Sequence, residues 1–340
     1  VLKSHALIFT PDMFDEIIDP LMEVYKVGHE MGLNTLIRLC YALPVHSTNH
    51  FLAVAEKNAS AQDIEGLQLF LLSAICILIN REFPNNDFLM EKIEFAVSFP
   101  VPDLWVLAYE ALGRVMVRSS IWQHKLLELG NEDEVITEIK INTLCQLLEV
   151  PGFQAKDFLL SMLNAVCSPQ ETISEKAIDA IERVLSSDLE IGFDFAAEYL
   201  MMVIDLIDNC INKEILERLC GIAADLINMA QIELNGNVTA VLEFFLSKPR
   251  PCYLSPLHAV LLQFGFVIRE FYQNIIEFVF GFLEDDPTIE TVRWSTMVLD
   301  TLEQDIVGFG KFARQTICKL IEVYPTSSPG NIVQLVGNIV

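Results

Sequence analysis

The sequence predicts an all-α fold, an α-solenoid of antiparallel helix pairs forming one continuous superhelical array over residues 1–340. Three observations predict it. Apolar runs of helical period alternate with short breaks rich in Pro, Gly, Asn and Asp from end to end, while period-two alternation is rare and never flanks an Asn-Gly or Asp-Gly turn. Three stretches far apart in the chain align on small-residue anchors. One helix, within "FPVPDLWVLAYEALGRVMVRSS" (Phe99–Ser120), is apolar on nearly every side. A regular spacing of this kind over a chain of this length corresponds to about seven to nine helical pairs.

The elements follow from their punctuation. The first break, "FTPDMFDE", opens a run that contains Pro20 in "FDEIIDPLMEVY", where the missing N–H predicts a kink or a break. "CYALPVHSTNH" reads as a polar turn between helices, and the apolar run through "SAICILIN" stops at "REFPNND". Next, "SFPVPD" places Asp103 as the expected cap of the helix that follows. Leu104, Ala108, Ala111, Leu112 and Val115 make its apolar stripe, and Trp105, Val106, Leu107 and Tyr109 cover much of what remains. Only Asp103, Glu110, Arg114 and Arg118 leave a thin exposed charged strip. A surface helix carries one apolar stripe of about 100°, so this helix must be covered from two sides. A stack of hairpins does that, because one helix packs on its own partner and on both neighbouring repeats.

Beyond "LEVPGFQ" and "CSPQET", Ser168 or Thr172 is the expected cap of the next helix; "LNGNVT" and "SKPRPCYLSP" punctuate the runs after it. Pro251–Ile268 is the longest uncharged stretch and is long enough for a membrane span, but two prolines, His258 and Gln263 interrupt it. It reads as a buried helical hairpin. In "EDDPTIE", Asp286 is the expected cap and Pro287 suits the first turn; "YPTSSPGN" is the last break.

Composition narrows the functions. With 52% apolar and 20% charged residues the chain can fill a large core. Its net charge of −25 argues against direct binding of nucleic acid, which needs Lys and Arg on the phosphates; it is either a device for solubility or a surface for basic partners. The eight cysteines show no CxxC spacing and sit mostly in apolar helical runs, which reads as reduced thiols in the cytoplasm or nucleus. The chain begins with Val1 and stops in the apolar pattern "IVQLVGNIV", as expected of a piece of a longer protein.

No pattern points to catalysis. His46 and His50 in "HSTNH" have a one-face spacing but no third ligand, so no metal is expected. "GFGK" (Gly308–Lys311) is too short for a phosphate loop, no nucleophile elbow occurs, and no cofactor is predicted.

The aligned stretches are "PVPDLWVLAYEALGRV", "SPQETISEKAIDAIERVL" and "DDPTIETVRWSTMVLDTL". Each starts at a Pro/Asp turn, then places a small residue (Ala108, Ala177, Ser295) three positions before an apolar pair: Ala111-Leu112, Ala180-Ile181, Val298-Leu299. This resembles the second helix of the HEAT repeat, most closely at Asp285–Arg293 with its Asp-Pro and Val-Arg. "FDEIIDPLMEVYKVGHEMGLNTLIRLCYAL" and "DIEGLQLFLLSAICILINREFPNNDFLMEKIEFAVSFP" add a resemblance to the importin-β/transportin type of nuclear transport receptor. The resemblance implies a non-catalytic adaptor that wraps a basic protein partner, with Ran and Phe-Gly nucleoporins as further partners and a cytoplasmic or nuclear location. The alternative is a structural subunit of a stable chromatin, RNA-processing or phosphatase assembly. Trp105 lies at the start of an inner-type helix and Trp294 directly after Arg293, about two turns beyond the acidic knot Glu284-Asp285-Asp286. Each is either a core residue or, with the acids, part of a clamp, formed by Trp105, Glu110, Glu284, Asp285, Asp286 and Trp294, that holds a basic segment. The acids before Trp294 equally suit the dipole of their helix.

Overall fold

The computed structural model describes residues 11–26, 30–118, 134–147, 155–187, 191–234, 236–284 and 288–323, and these contain 17 α-helices and no strand. The chain divides into two compact units, Val1–Ala177 and Ile178–Val340. The first holds α1 (Pro11–Lys26), α2 (Glu30–Ala42), α3 (Pro44–Asn58), α4 (Ile64–Asn80), α5 (Asn86–Val97), α6 (Pro102–Arg118), α7 (Glu134–Leu147) and α8 (Ala155–Val166). The boundary falls within α9 (Glu171–Leu185). The second holds α10 (Phe193–Asn209), α11 (Lys213–Ala230), α12 (Val238–Ser247), α13 (Leu254–Phe264), α14 (Tyr272–Leu283), α15 (Ile289–Glu303), the single turn α16 (Ile306–Phe309) and α17 (Ala313–Val323).

Side-chain caps fix where several helices start. Asp63 accepts from the Gly66 amide at 2.8 Å, Asn85 from Phe88 at 3.1 Å, and Asn212 from Glu214 at 2.9 Å. Each cap precedes an apolar run that finds cover on neighbouring helices. In the first unit α1 packs on α2, α3 on α4 and α5 on α6; the trailing members then pack on one another, α2 on α4, α4 on α6, and α6 on α7. The second unit repeats the scheme, with the pairs α10–α11, α12–α13 and α14–α15, trailing seams α11–α13 and α13–α15, and a leading seam α12–α14. Helices stacked in two layers of this kind are an α-solenoid.

The trailing helices explain the all-round apolar sequence. In α4 every residue from Phe70 to Leu78 is buried, and in α6 every residue from Leu107 to Gly113. All the aligned anchors are buried: Ala108, Ala111 and Leu112; Ala177, Ala180 and Ile181; Ser295, Val298 and Leu299. Small residues at these positions let the helix axes approach, and the large neighbour fills the seam.

Several sequence expectations change on contact with the structure. Glu110 is not exposed: it is 7% exposed and ion-paired to Arg114 at 2.7 Å, one turn on. α1 runs through Pro20 without a break; the proline is exposed, so its ring meets solvent. "HSTNH" is helical within α3, and His46 and His50 set their rings edge-on to Phe14, 5.4 and 5.7 Å between centroids. Pro44 takes the first turn there, which is why a proline-led segment continues as a helix. Pro251–Ile268 is not a hairpin: one 3₁₀ turn (Pro251–Tyr253) leads into the 11-residue α13, which ends at Phe264. No helix among the described residues is long and apolar enough to cross a membrane. α6 begins at Pro102, one residue before the expected cap Asp103, and Thr288, not Asp286, caps α15 by accepting from the Thr291 amide at 3.1 Å. Thr172 lies inside α9, where it donates to Glu134 at 2.6 Å, while Ser168 accepts from the Gln170 amide at 3.2 Å.

A buried clasp holds the end of the second unit. Arg269 donates to both oxygens of Asp305, at 2.5 and 2.6 Å, and the Gly308 amide donates to Oδ1 at 3.2 Å. The Tyr272 hydroxyl lies 3.0 Å from Oδ2 and 2.9 Å from the Gly265 carbonyl. Arg269 is the main cause that holds the Asp305 carboxyl down to about 2, against the opposing effect of burial. Gly308 in "GFGK" owes its identity to this clasp: a Cβ there would sit 2.7 Å from Tyr272 Cε2 and closer still to the Asp305 carboxylate.

Two predictions follow from the seams and the clasp. Ala111→Leu and Ala180→Leu should each overpack a seam and destabilise by about 1–3 kcal/mol in denaturant titration, with the exposed Glu175→Gln near zero; negligible effects at both alanines would place the seams elsewhere. Because the folded Asp305 carboxyl is depressed, the stability it contributes is present above the ordinary carboxylate range and is lost as pH falls from about 4 to about 2. Asp305→Asn should therefore lower Tm at neutral pH and flatten the acid limb of a Tm-against-pH curve.

Candidate partner-binding face of the trailing helices

Polar ties between successive trailing helices recur at offsets of 35 to 39 residues. In the first unit Lys176 pairs with Glu138 and Thr172 with Glu134, both 38 residues apart, and Lys140 sets its ammonium over the Tyr109 ring. In the second unit Arg218 donates to Asp179 at 2.5 Å and to Glu182 at 2.7 Å, 39 and 36 residues back, and Gln263 donates to Asn228 at 3.3 Å, 35 residues back. The leading layer has its own tie, Lys248 to Asp208, 40 residues apart. In each ion pair of these ties the acid lies in one repeat and the cation in the next. Exposed pairs of this kind contribute about 0.2–1 kcal/mol each, against about 1.5–3 kcal/mol for one fully buried Leu or Phe. The seams therefore hold the stack, and the pairs set its register.

The acid-to-cation ladder stops at α13, whose sequence "LSPLHAVLLQF" contains no charged residue. The acids on either side of it carry the consequence. Asp225 on α11 reaches solvent, but the atoms crowded round it, and secondly the Glu182 carboxylate, push its carboxyl up; no basic side chain among the described residues pairs with it. Glu303, at the end of α15, is pushed up by burial and then by Asp300. Between them His258 of α13 lies against Trp294 of α15, with ring centroids 6.0 Å apart. Burial pulls the His258 imidazole below its ordinary range while Asp300 opposes that shift, so the ring is neutral at pH 7. α13 and α15 thus present a half-buried Trp-His pair, and raised carboxyls stand at Asp225 of α11 and at Glu303 where α15 ends.

The residues expected from sequence fall as follows. Trp105 is half-buried, and its Nε1–H donates to the carbonyls of Val97 and Phe99, at 3.1 and 2.6 Å, which ties the start of α6 to the end of α5. Glu110 is spent on Arg114. Glu284 is exposed at the end of α14, while Asp285 and Asp286 lie outside the described residues, as do Trp122 and the side chain of Arg118. Trp294 is half-buried beside His258. Asp225, His258 and Glu303 were missed; the usable signal was the gap in charge at α13 read against a repeat of the chain's own length. No grouping of His, Cys, Asp and Glu fit to hold a metal ion occurs among the described residues.

This electrostatic reading has a testable sign. A folded carboxyl pushed up holds its proton longer than in the unfolded chain, so stability falls as pH rises through it. Asp225→Asn should raise Tm slightly at pH 7 and leave it nearly unchanged at pH 3. A fall in Tm at pH 7 would mean that Asp225 is compensated after all.

No protein-family model matches this chain, and no curated protein matches its sequence. Solved structures do match. Importin beta superposes on 97% of this chain with a TM-score of 0.54 at 12% identity, the match covering 46% of that protein. Kap121p bound to Pho4p gives 95%, 0.53 and 12%, covering 37% of Kap121p; a triple acid-to-lysine mutant of Kap121p gives 96%, 0.52 and 11%, also covering 37%. This chain therefore resembles HEAT-repeat karyopherins in fold over nearly its whole length, and spans less than half of theirs.

Proposed function

We propose that this chain is a non-catalytic, protein-binding helical scaffold that holds a basic segment of a partner protein on α11, α13 and α15. One observation carries the reading: the ladder of acid-to-cation ties lapses at α13, where His258 meets Trp294, while Asp225 of α11 and Glu303 at the end of α15 keep raised carboxyls. A partner's Lys or Arg supplies the missing cation, and the Trp294 face offers a cation–π seat of about 0.5–2 kcal/mol. The acid surplus of the whole chain, −25, steers a basic segment toward it. In the sequence, Glu284, Asp285 and Asp286 add three acids shortly before α15. Trp105 and Glu110 do not enter the reading, since their polar groups are engaged inside the first unit.

The finer form of the proposal is a nuclear transport receptor of the importin-β kind, with a basic cargo and with Ran and Phe-Gly nucleoporins as further partners, acting between cytoplasm and nucleus. Its support is the fold likeness to importin beta and to Kap121p, the latter holding the protein Pho4p. The alternative, a subunit of a stable assembly, draws on a different feature: Leu262, Phe266 and Val267 form an exposed apolar run at the end of α13, Phe266 being 76% exposed.

Fluorescence anisotropy with a labelled Arg/Lys-rich peptide tests the reading. Trp294→Ala and the pair Asp225→Asn with Glu303→Gln should each weaken binding about tenfold, and the pair should flatten its salt dependence. Replacing Glu284, Asp285 and Asp286 together by Ser should weaken binding and flatten the slope; unchanged binding with a small loss of Tm would restrict those acids to the helix dipole. Absence of binding, or binding indifferent to salt and to Trp294, would overturn the proposal. Relief of aggregation by Phe266→Ser in a chain that ignores the peptide would favour the assembly subunit.

A further inference from the structure

Three cysteines of the second unit gather where α11 meets the 3₁₀ turn that leads into α13. Cys220 lies inside α11 and is 1% exposed. Cys252 lies in the turn Pro251–Tyr253, which packs on α11, and is half-exposed; the largest influence on each of the two thiols is the other. Cys210, half-buried just before α11, donates its own S–H to the Asn212 carbonyl at 3.3 Å; it acts on Cys220, and Cys252 acts on it, only through space.

The surroundings are those of an activated thiol. The Arg250 guanidinium, seated 5.7 Å over the Tyr253 ring, is close enough to favour a thiolate at Cys252, and Glu217 is the one carboxylate opposing it. Two buried polar atoms beside the pair, Arg250 Nη1 and Tyr253 OH, have no hydrogen-bond partner. Unpaired buried donors are rare and costly, and both of these can stabilise negative charge on a sulfur or on an oxygen bound to it. The Cys220 hydrogen bond, the Cys252 amide and Arg250 hold the Cys252 thiol below its ordinary range, against burial and Glu217, while the same contact and burial push Cys220 up. The pair is asymmetric: one thiol is reachable and inclined to ionise, the other protected and close behind it. In the buried pair Cys40–Cys76 of the first unit one thiol likewise acts on the other, but neither member is exposed.

We propose that Cys252 is a site of oxidation by hydroperoxides and that Cys220 resolves it into a reversible disulfide. The Cys252 thiolate attacks one peroxide oxygen; the O–O bond breaks, sulfur loses two electrons to the peroxide, and hydroxide or alkoxide leaves and takes up a proton. The sulfenic acid formed at Cys252 is then attacked by Cys220: the S–S bond forms, the S–O bond breaks, and the Cys220 proton departs with the hydroxyl as water. The product staples α11 to the turn that leads into α13, the trailing helix of the next pair, across the α11–α13 seam. A dithiol reductant reverses it, returning both thiols.

The chain contains its own reference thiols, because Cys167 and Cys318 are exposed and carry no such surroundings. The whole protein is treated with substoichiometric hydrogen peroxide at pH 7, quenched with iodoacetamide, digested without reduction and analysed by mass spectrometry. The expected result is a Cys220–Cys252 linked peptide pair that dithiothreitol removes, with Cys252 consumed at least about tenfold faster than Cys318, the order set by thiolate character over exposure. In Cys220→Ser, Cys252 should instead accumulate a dimedone-reactive sulfenic acid. Faster oxidation of Cys167 or Cys318 in the unaltered protein, or absence of the linked pair when Cys252 is oxidised, would overturn the proposal without recourse to any variant.

Discussion

A helix that is apolar all round has no stable place on the surface of a single hairpin. α4 and α6 have that character, with Phe70–Leu78 and Leu107–Gly113 buried without a gap, and every other feature of the first unit follows from satisfying them. Each needs a leading partner on one side and a trailing neighbour on each flank, which only repetition supplies. The small residues Ala108, Ala111, Ala177 and Ala180 are the local answer to the same demand, since bulkier side chains would hold the axes apart. Stability is thus a property of seams, and the surface ion pairs are too weak to substitute for them.

Once the seams are set, the polar strip of each trailing helix is the only part left to face outward, and neighbouring strips meet at the repeat offset. That is why Glu138 finds Lys176 and why Glu182 finds Arg218. The same arithmetic makes a departure conspicuous. α13 carries no charged residue, so Asp225 on α11 finds there no cation of the kind that the pattern elsewhere provides. A protein retains such uncompensated charge at a cost in stability, and the proposed gain is a seat for a partner's cation. The thiol pair lies at the base of the same α11–α13 seam yet depends on none of these carboxylates except Glu217, so the two proposals stand or fall separately.

Much of the fold was legible because it rests on patterns that repeat. The Pro/Asp turns and the spacing of small residues were sufficient to place three trailing helices and the buried face of each. Single positions were less legible. Glu110 looked like a solvent-facing acid because one-dimensional spacing cannot tell an outward strip from one covered by the next repeat. Pro20 looked like a break, but on an exposed face a proline ring is tolerated within a helix at the loss of one hydrogen bond. Asp286 lost the cap to Thr288, two residues on, an error typical of helix ends where several oxygens compete. Pro251–Ile268 was read as two helices because its apolar run is long, whereas the residues after Phe264 turn back through short 3₁₀ geometry. The candidate face was the least legible part: the ties that define it join residues 35 to 39 positions apart, and no single stretch of sequence contains both partners.

The claim at the centre of this account is that the trailing helices of the second unit, and not the leading ones, receive a basic segment. Photo-cross-linking maps that directly: a Lys/Arg-rich peptide carrying a diazirine is bound at low salt, irradiated, and its attachment sites are read by mass spectrometry. The account predicts attachment at exposed positions of α11, α13 and α15 around Asp225, His258 and Trp294, lost on raising the salt. Attachment confined to the leading helices α10, α12 and α14, or spread evenly over the acidic surface, would contradict it.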